Sequence, residues 1–471
     1  MPQQLVTCNS LLFGQNSPMT KQAAKQQKQP LACIILAAGQ GKRMKSILPK
    51  VMHPLAGRPM AGWLLETVRS LTPEKIVVVT GPDMDDLRDA VSSCDVAVQK
   101  TAQGTGDAVK AALPALKGFS GDVLILLGDM PLIGAETLKA LVAARHKNDL
   151  TKLSVLGAEF EIPPAFGRLV LDSKGGLEKI VEDRDCSKAE RSIRLCNTGA
   201  FCVDGARLSG WVAKIKNNNA QKEFYITDLV EIAVSDGAQA HVHVAHNHDE
   251  VRGVNSRTDL AALERIVQGR LRAAAMENGA TLIDPDTVYF SWDTKLGRDV
   301  VVEPNVFFGA GVSIADNVHI KAFSHLEGAR VEAGASIGPQ ARLRPGSVIG
   351  AGAKIGNFVE IKNSTLGTGV KAAHLAYIGD AEIGDDVNFS CGAITVNYDG
   401  VKKHKTVVGS GAMVGSNVNL VAPVMIGDGA YIAAGSTITK DVPADALAVA
   451  REKPFIKDGW AAGKRKKKKA G

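Results

Sequence analysis

An aliphatic or similar residue recurs every six positions through most of the second half of this chain, and few folds accept that period. The series runs Val302, Phe308, Ile314, Ile320, then resumes at Val331, Ile337, Leu343, Ile349, Ile355 and Ile361. It slips by one residue to Leu366, Ala372 and Ile378, slips again to Ile383 and Phe389, and returns at Val408, Val414, Leu420, Ile426, Ile432 and Ile438. An amphipathic helix would show a period of about 3.6 residues instead. Six residues make one short strand plus a turn, with the aliphatic inward and small residues such as Gly338, Gly356, Gly384 and Gly427 letting the chain bend. One repeat cannot bury its own face, so successive coils must stack on a shared apolar column. The spacing therefore predicts a parallel β-helix over 279–460. Gly392–Thr406 breaks the period and is expected to loop out of the coil wall, and long loops on rigid scaffolds carry function.

The first half reads differently. Short apolar strands at Leu31–Leu36, Ile76–Thr80, Val96–Gln99 and Val123–Leu127 alternate with helical patterns such as Ala61–Leu71 and Asp107–Leu116. Continuous apolar strands separated by helices predict a mainly parallel sheet covered on both faces, a Rossmann-like α/β domain over 31–253. Arg168–Asp172 and Leu177–Val181, joined through Gly175-Gly176, read as a hairpin beside it. A charged helical stretch with Leu260, Leu263, Ile266, Val267 and Leu271 as its stripe reads as a linker helix over 254–278, ended by Asn278-Gly279.

Charge narrows the function classes. The formal net charge is +7, but Lys464, Arg465, Lys466, Lys467, Lys468 and Lys469 sit together in a basic tail at 461–471. Lys21, Lys25 and Lys28 lie in an acid-free stretch over 1–30, expected to be a disordered extension, and the body between the two carries −2. Such a body has no basic stripe to follow a phosphate backbone, so no nucleic-acid partner is expected. The tail reads as a solvated terminus. No apolar run is long enough to span a membrane, and the start of the chain lacks a signal or transit pattern. Seven cysteines without a CxxC pair suit a reducing cytoplasm better than a disulfide framework or a zinc site.

Two elements suggest chemistry in the first half. Strand Leu31–Leu36 runs into Ala37-Ala38-Gly39-Gln40-Gly41-Lys42-Arg43-Met44 and then Leu48-Pro49-Lys50. Exposed backbone N–H groups followed by cations suit a triphosphate, although the loop matches neither GxGxxG nor the P-loop. Asp129 ends the apolar run Val123–Leu127 at the edge where open α/β sheets bind ligands, and one carboxylate plus substrate phosphates is a usual Mg²⁺ site.

The ordered series LAAGxGxRM…LPK, QxxxQGTG, LGDxPL, CNTG, YITD and GVNxR resembles the sugar-1-phosphate nucleotidyltransferases. Followed by coils that contain RLRPG, NFVEIK, HLAYIGD and NYDG, it resembles the bifunctional N-acetylglucosamine-1-phosphate uridyltransferase/glucosamine-1-phosphate acetyltransferase family from residue 31 to about 460. The resemblance implies synthesis of UDP-N-acetylglucosamine for cell-wall peptidoglycan and lipopolysaccharide, with UTP and acetyl-CoA as co-substrates and Mg²⁺ as cofactor. It also implies a left-handed coil and a homotrimer whose acyl sites are shared between subunits.

Carried over residue by residue, Leu36, Ala37, Ala38, Gly39, Arg43 and Lys50 hold UTP, and Gln99, Gly104 and Thr105 select uracil. Gly167, Glu182 and Asn197 hold the N-acetylglucosamine phosphate, and Asp129 and Asn255 bind Mg²⁺. On the coil, Arg344 and Lys362 meet the phosphate of glucosamine 1-phosphate, and Tyr377 and Asn388 meet its sugar. His374, in a His-Leu-x-Tyr context, is the general base, since a histidine titrates in the range needed to take the amine's proton. Cys391, Asn397, Tyr398, Ser416, Ala434 and Arg451 line the acetyl-CoA site. Leu127 stands where the family commonly has tyrosine, and Cys391 where a small residue is usual. Two other readings remain at this level. One is a nucleotidyltransferase with a purely structural stem, which would show no acetyl-CoA-dependent activity. The other is a binding protein that acts through its basic tail, against which the −2 body speaks.

Overall fold

The computed structural model describes residues 29–469. The expectations for the first 28 residues, including Cys8, and for the last two lie outside them.

In the first half, β1 (Leu31–Leu36), β2 (Lys75–Thr80), β3 (Asp95–Val98) and β4 (Asp122–Leu127) form a parallel sheet in the order β4-β1-β2-β3. α1 (Met60–Ser70), α2 (Thr105–Ala112) and α3 (Ala135–Arg145) lie between or after them. Side chains alternate across the sheet, and both faces are covered. Cys33, Ile35, Leu124 and Leu126 pack with Leu64 and Leu138 on one face, while Ile34, Val123 and Ile125 pack with Val109 and Trp211 on the other. That two-sided burial is why these strands read as unbroken apolar runs. The chain leaves central β1 toward β2 and β3, then returns to the other side at β4. A crevice therefore opens at the carboxyl ends of β1 and β4.

The sheet continues past the expected strands. β5 (Thr151–Glu159), β8 (Leu195–Asp204) and β9 (Gln239–Val244) extend it as β9-β5-β8-β4, with β8 antiparallel to both neighbours. The expected hairpin, β6 (Arg168–Leu171) with β7 (Leu177–Val181), hangs from β8.

α4 (Arg257–Glu277) is the linker helix. The Ser256 hydroxyl accepts the Asp259 N–H, and the Asp259 carboxylate accepts the Ser256 N–H, a closed capping box. Asn278 ends it, and Gly279 follows at φ 99°.

Beyond α4 three parallel sheets run side by side, each taking every third strand, which is a parallel β-helix. Every aliphatic of the six-residue series lies in one buried column. Leu326, skipped in the sequence series, fills the place between Ile320 and the slip to Val331.

The excursion is shorter than expected. Ile394–Val396 stays in the coil wall, and only 397–405 leaves it. Thr395 escapes a search for aliphatics, yet it points inward and is 1% exposed. Its hydroxyl accepts the Gly379 N–H at 2.8 Å and donates to the Gly379 carbonyl at 3.1 Å. Thr395→Val keeps the shape and removes the hydroxyl, so the Gly379 N–H is left buried without its partner. A loss of about 1–3 kcal/mol in unfolding free energy is expected from denaturant titration. An unchanged midpoint would show that the coil tolerates the orphaned donor.

Candidate active sites

At the carboxyl edge of the sheet the strand ends are tied together. The Ala37 N–H donates to Val79, the Gly128 N–H to Leu36 and the Gln99 N–H to Thr80, all at 2.9 Å. They enclose a cleft of about 330 Å³ lined by Leu36, Ala37, Ala38, Gly39, Lys50, Gln99, Gly104, Thr105, Leu127 and Asp129, among others. A Cβ on Gly39 would meet nothing within 4 Å, which leaves that wall open to a ligand. Gly41 is required for another reason: its φ is 64°, and a Cβ there would come 2.7 Å from that of Lys50.

The Lys50 ammonium lies between two oxygens. It forms an ion pair with Asp129 Oδ2 and donates to Asn255 Oδ1 at 3.3 Å. Asp129 Oδ1 is buried with no hydrogen-bond partner. An orphaned carboxylate oxygen beside a second oxygen donor is a place that a cation fits. The Gln99 amide donates to the Gly104 carbonyl at 3.1 Å and to Asp107 at 2.8 Å, which fixes its orientation in the cleft. Thr105 Oγ1 accepts the Ile226 N–H at 3.0 Å.

A second group gathers where β6, β7 and β8 meet. The Asn197 N–H donates to the Gly167 carbonyl at 2.8 Å. A Cβ on Gly167 would stand 3.6 Å from both Asn197 and Glu182. Burial lifts the Glu182 carboxyl above the ordinary range, opposed by the Thr227 hydroxyl, which donates to it at 3.1 Å. Asp185 and Asp183 push it further up.

On the coil, His374 ends the strand Lys371–His374 and is exposed. Its Nδ1 faces Asn357 Oδ1 at 2.8 Å. An amide oxygen there requires the proton on Nδ1, which leaves Nε2 as the free base. Cys391, Ser416, Ala434 and Arg451 rise along the same corner. The Asn417 N–H donates to the Cys391 carbonyl, the Gly435 N–H to Ser416, and the Arg451 guanidinium to Ala434. Asn388 lies on the face that leads to this corner and donates to Met413 Sδ at 2.9 Å.

Arg344, Lys362 and Asn397 stand at the next corner. Arg344 pairs with Glu360 at 2.8 Å, Asn397 donates to Asp380, and the Asp380 N–H donates to the Lys362 carbonyl at 3.1 Å. The neighbouring Lys362 lowers the Lys403 ammonium below its usual range. A Cβ on Gly379 would meet the Tyr377 hydroxyl at 2.4 Å, so that ring leans toward this second group. No hydrogen bond or ion pair joins the two corners among the described residues. Within one chain the expected acetyl-site residues thus divide between two corners of the coil.

Comparison with known proteins bears on both halves. Residues 33–184 match the MobA-like NTP transferase domain, and 328–363 and 405–440 match the bacterial transferase hexapeptide repeats. A bifunctional protein GlmU from Paramagnetospirillum magneticum is 52% identical over 431 residues, covering 92% of this chain and 96% of its own. Those from Zymomonas mobilis and Sphingopyxis alaskensis are 47% and 49% identical, covering 93% and 92% of this chain and 98% and 96% of theirs. The chain belongs to the bifunctional GlmU family.

As a GlmU-family member the chain is a bifunctional transferase, with a uridyltransferase domain and a hexapeptide acetyltransferase domain. No helix among the described residues is long and apolar enough to cross a membrane. Three of the residues singled out in the sequence stand apart from the cleft or the two corners, or pack beside them. Arg43 does not line the cleft; it sits exposed on the turn Lys42–Met44, and its charge acts on Asp259 at the start of α4. Tyr398 is exposed, and its hydroxyl donates to the Gly400 carbonyl at 2.6 Å. The Leu127 side chain lies where a Cβ on Gly199 would be, 2.3 Å away, so it packs on backbone next to the cleft. Sequence reading missed Asn357 and Thr227 as partners, although both stand inside quoted motifs, NFVEIK and YITD. Each touches an expected site residue and not open cleft, so only its neighbour reveals its role.

Proposed function

We propose that the chain makes UDP-N-acetylglucosamine at two separate sites, with the residue roles that follow. The observation that carries the reading is that each fold presents, at its own ligand edge, the group its reaction needs. The sheet offers Lys50 between Asp129 and Asn255, and the coil offers His374 held by Asn357.

At the sheet, the backbone N–H groups of Ala37–Gly39 and the Lys50 ammonium receive the phosphates of UTP, and the Gln99 amide faces uracil with Gly104 and Thr105. Gly167, Glu182 and Asn197 hold N-acetylglucosamine 1-phosphate. Its phosphate oxygen attacks the α-phosphorus of UTP in line, the bond to the bridging oxygen breaks, and pyrophosphate leaves with its electron pair. Asp129 and Asn255 would hold Mg²⁺, which when bound neutralises charge on the phosphates. Little covalent work falls to side chains here; Lys50 and the loop position the reactants and offset charge.

At the coil, glucosamine 1-phosphate binds through Arg344, Lys362, Tyr377 and Asn388. His374 Nε2 takes the proton of the amine as its nitrogen attacks the thioester carbonyl of acetyl-CoA. The carbon–sulfur bond breaks, and the cofactor leaves as a thiol. Cys391, Asn397, Tyr398, Ser416, Ala434 and Arg451 line the cofactor's path.

The two-corner division of these residues supports a homotrimer, in which the first corner of one copy faces the second corner of the next. The surface at the first corner supports it too. Phe323, Phe358 and Leu375 follow that corner at φ 61°, 56° and 47°. They are 61%, 53% and 57% exposed. Large apolar residues in the left-handed region are uncommon, and a row of them left in water calls for a covering surface. A second copy supplies one beside His374. A cytoplasmic location fits the reading, since the six described cysteines are all free. Incubating the purified protein with glucosamine 1-phosphate, acetyl-CoA and UTP tests the whole scheme. UDP-N-acetylglucosamine should appear only when all three are present. Uridylyl transfer to supplied N-acetylglucosamine 1-phosphate, with no acetylation, would instead leave the coil as a stem.

A further inference from the structure

Lys50 and Asn255 do not sit on the sheet that carries Asp129. Lys50 opens the short turn Lys50–Met52, and the hairpin Pro54–Leu55 with Arg58–Pro59 follows at once. Within this segment the His53 N–H donates to the Lys50 carbonyl at 3.3 Å, and the Met60 N–H donates to His53 at 3.1 Å. Asn255 immediately precedes the capping residue of α4. Both groups are therefore held from outside the sheet.

A hydrogen-bonded chain leads from the tip of this hairpin, through α4, to the first coil. The side-chain amide of Gln268, on α4 and 2% exposed, donates to the Phe290 carbonyl at 2.7 Å and accepts the Phe290 N–H at 2.8 Å. It also donates to Glu264 Oε1 at 2.9 Å. Glu264 Oε2 in turn accepts the Ala56 N–H, at the tip of the hairpin, at 2.8 Å. The coil grips the same residue directly, since the Trp292 N–H donates to the Ala56 carbonyl at 2.8 Å. The Arg58 guanidinium lies 4.3 Å from the centre of the Trp292 ring. Leu55, Ala56, Met60, Leu263 and Val267 form one buried cluster around this junction.

Ala56 adopts φ 48° and Gly57 φ 78°, the backbone of a tight hairpin turn. A Cβ on Gly57 would come 2.7 Å from Ser291 Oγ. The turn is therefore shaped to fit against the coil and not to stand free.

We propose that Glu264 is a positioning residue for uridylyl transfer: with Gln268 it braces the Ala56 turn against the first coil and so holds Lys50 and Asn255 opposite Asp129. The inference rests on Lys50, Asn255 and Asp129 being the uridylyl site. Misplacement of such groups by about 1 Å costs on the order of a hundredfold in rate.

The test compares Glu264→Ala, Glu264→Gln and Asp129→Ala in the full chain, with Mn²⁺ as the metal probe read by electron paramagnetic resonance. Glu264→Ala is expected to lower the uridylyl kcat by roughly tenfold to a hundredfold and to weaken Mn²⁺ binding, with the KM for UTP little changed. Acetyl transfer and the thermal midpoint should stay near wild type. Glu264→Gln keeps an oxygen for the Ala56 N–H but turns an amide toward Gln268, so it should recover part of the loss. Unchanged kcat and Mn²⁺ affinity in Glu264→Ala would overturn the inference. So would an equal loss of both activities with a lowered midpoint, which marks a general structural role. Full uridylyl transfer by Asp129→Ala would instead sink the site assignment on which the brace depends.

Discussion

Replacing His374 with alanine is expected to lower acetyl transfer by about 10²–10⁴-fold and to leave uridylyl transfer untouched. The amine of glucosamine 1-phosphate can attack a thioester only as it sheds a proton, and in the proposed scheme His374 Nε2 receives it. Asn357 fixes which nitrogen is free by facing Nδ1 at 2.8 Å. The ring is exposed at a coil corner, so its removal opens no cavity in the aliphatic column, and the fold should survive. The two rates, measured on one preparation, make the comparison. Full acetylation by the variant would mean that another group, or water, takes the proton.

Asp129→Ala should do the opposite. It removes the carboxylate that pairs with Lys50 at the crevice, together with the orphaned Oδ1 proposed above to face a cation. Loss of charge neutralisation on the phosphates corresponds to several kcal/mol, so uridylyl transfer should fall by about 10²–10³-fold. Lys50 keeps only its Asn255 partner in this variant, and phosphate binding should weaken with it. Acetyl transfer at the coil, which shares none of these residues, should persist. A variant that still transfers uridylyl groups at the wild-type rate would remove Asp129 from the site.

How far the sequence foretells these features depends on how local each signal is. The coil was legible because its period is repeated at nearly every turn, and a single exception such as Thr395 costs the pattern little. That same exception hid the true start of the excursion, because a hydroxyl that bonds to Gly379 replaces an aliphatic that the period demands. The parallel half of the sheet was legible because two-sided burial leaves unbroken apolar runs. β8 and its antiparallel pairing were not, since register between distant strands is set by packing partners that no local window contains. The site residues came from the motif series, and the cleft is lined by nine of the fourteen expected at the sheet. Arg43 departs because its place on a tight turn is decided by the backbone at Gly41 and Lys45, both with positive φ. Glu264 and Gln268 carry no motif. Their importance lies only in what they touch across the junction.

The separation of the acetyl-site residues onto two corners has a genetic meaning. If each active centre borrows one corner from each of two copies, His374→Ala and Lys362→Ala damage opposite halves of it. Each variant alone is then inactive in acetylation. Assembled together, the two chains form some interfaces in which an intact His374 corner meets an intact Lys362 corner. Two dead alleles in one cell would thus complement each other within a single gene product, and a cell carrying both would grow where neither alone suffices.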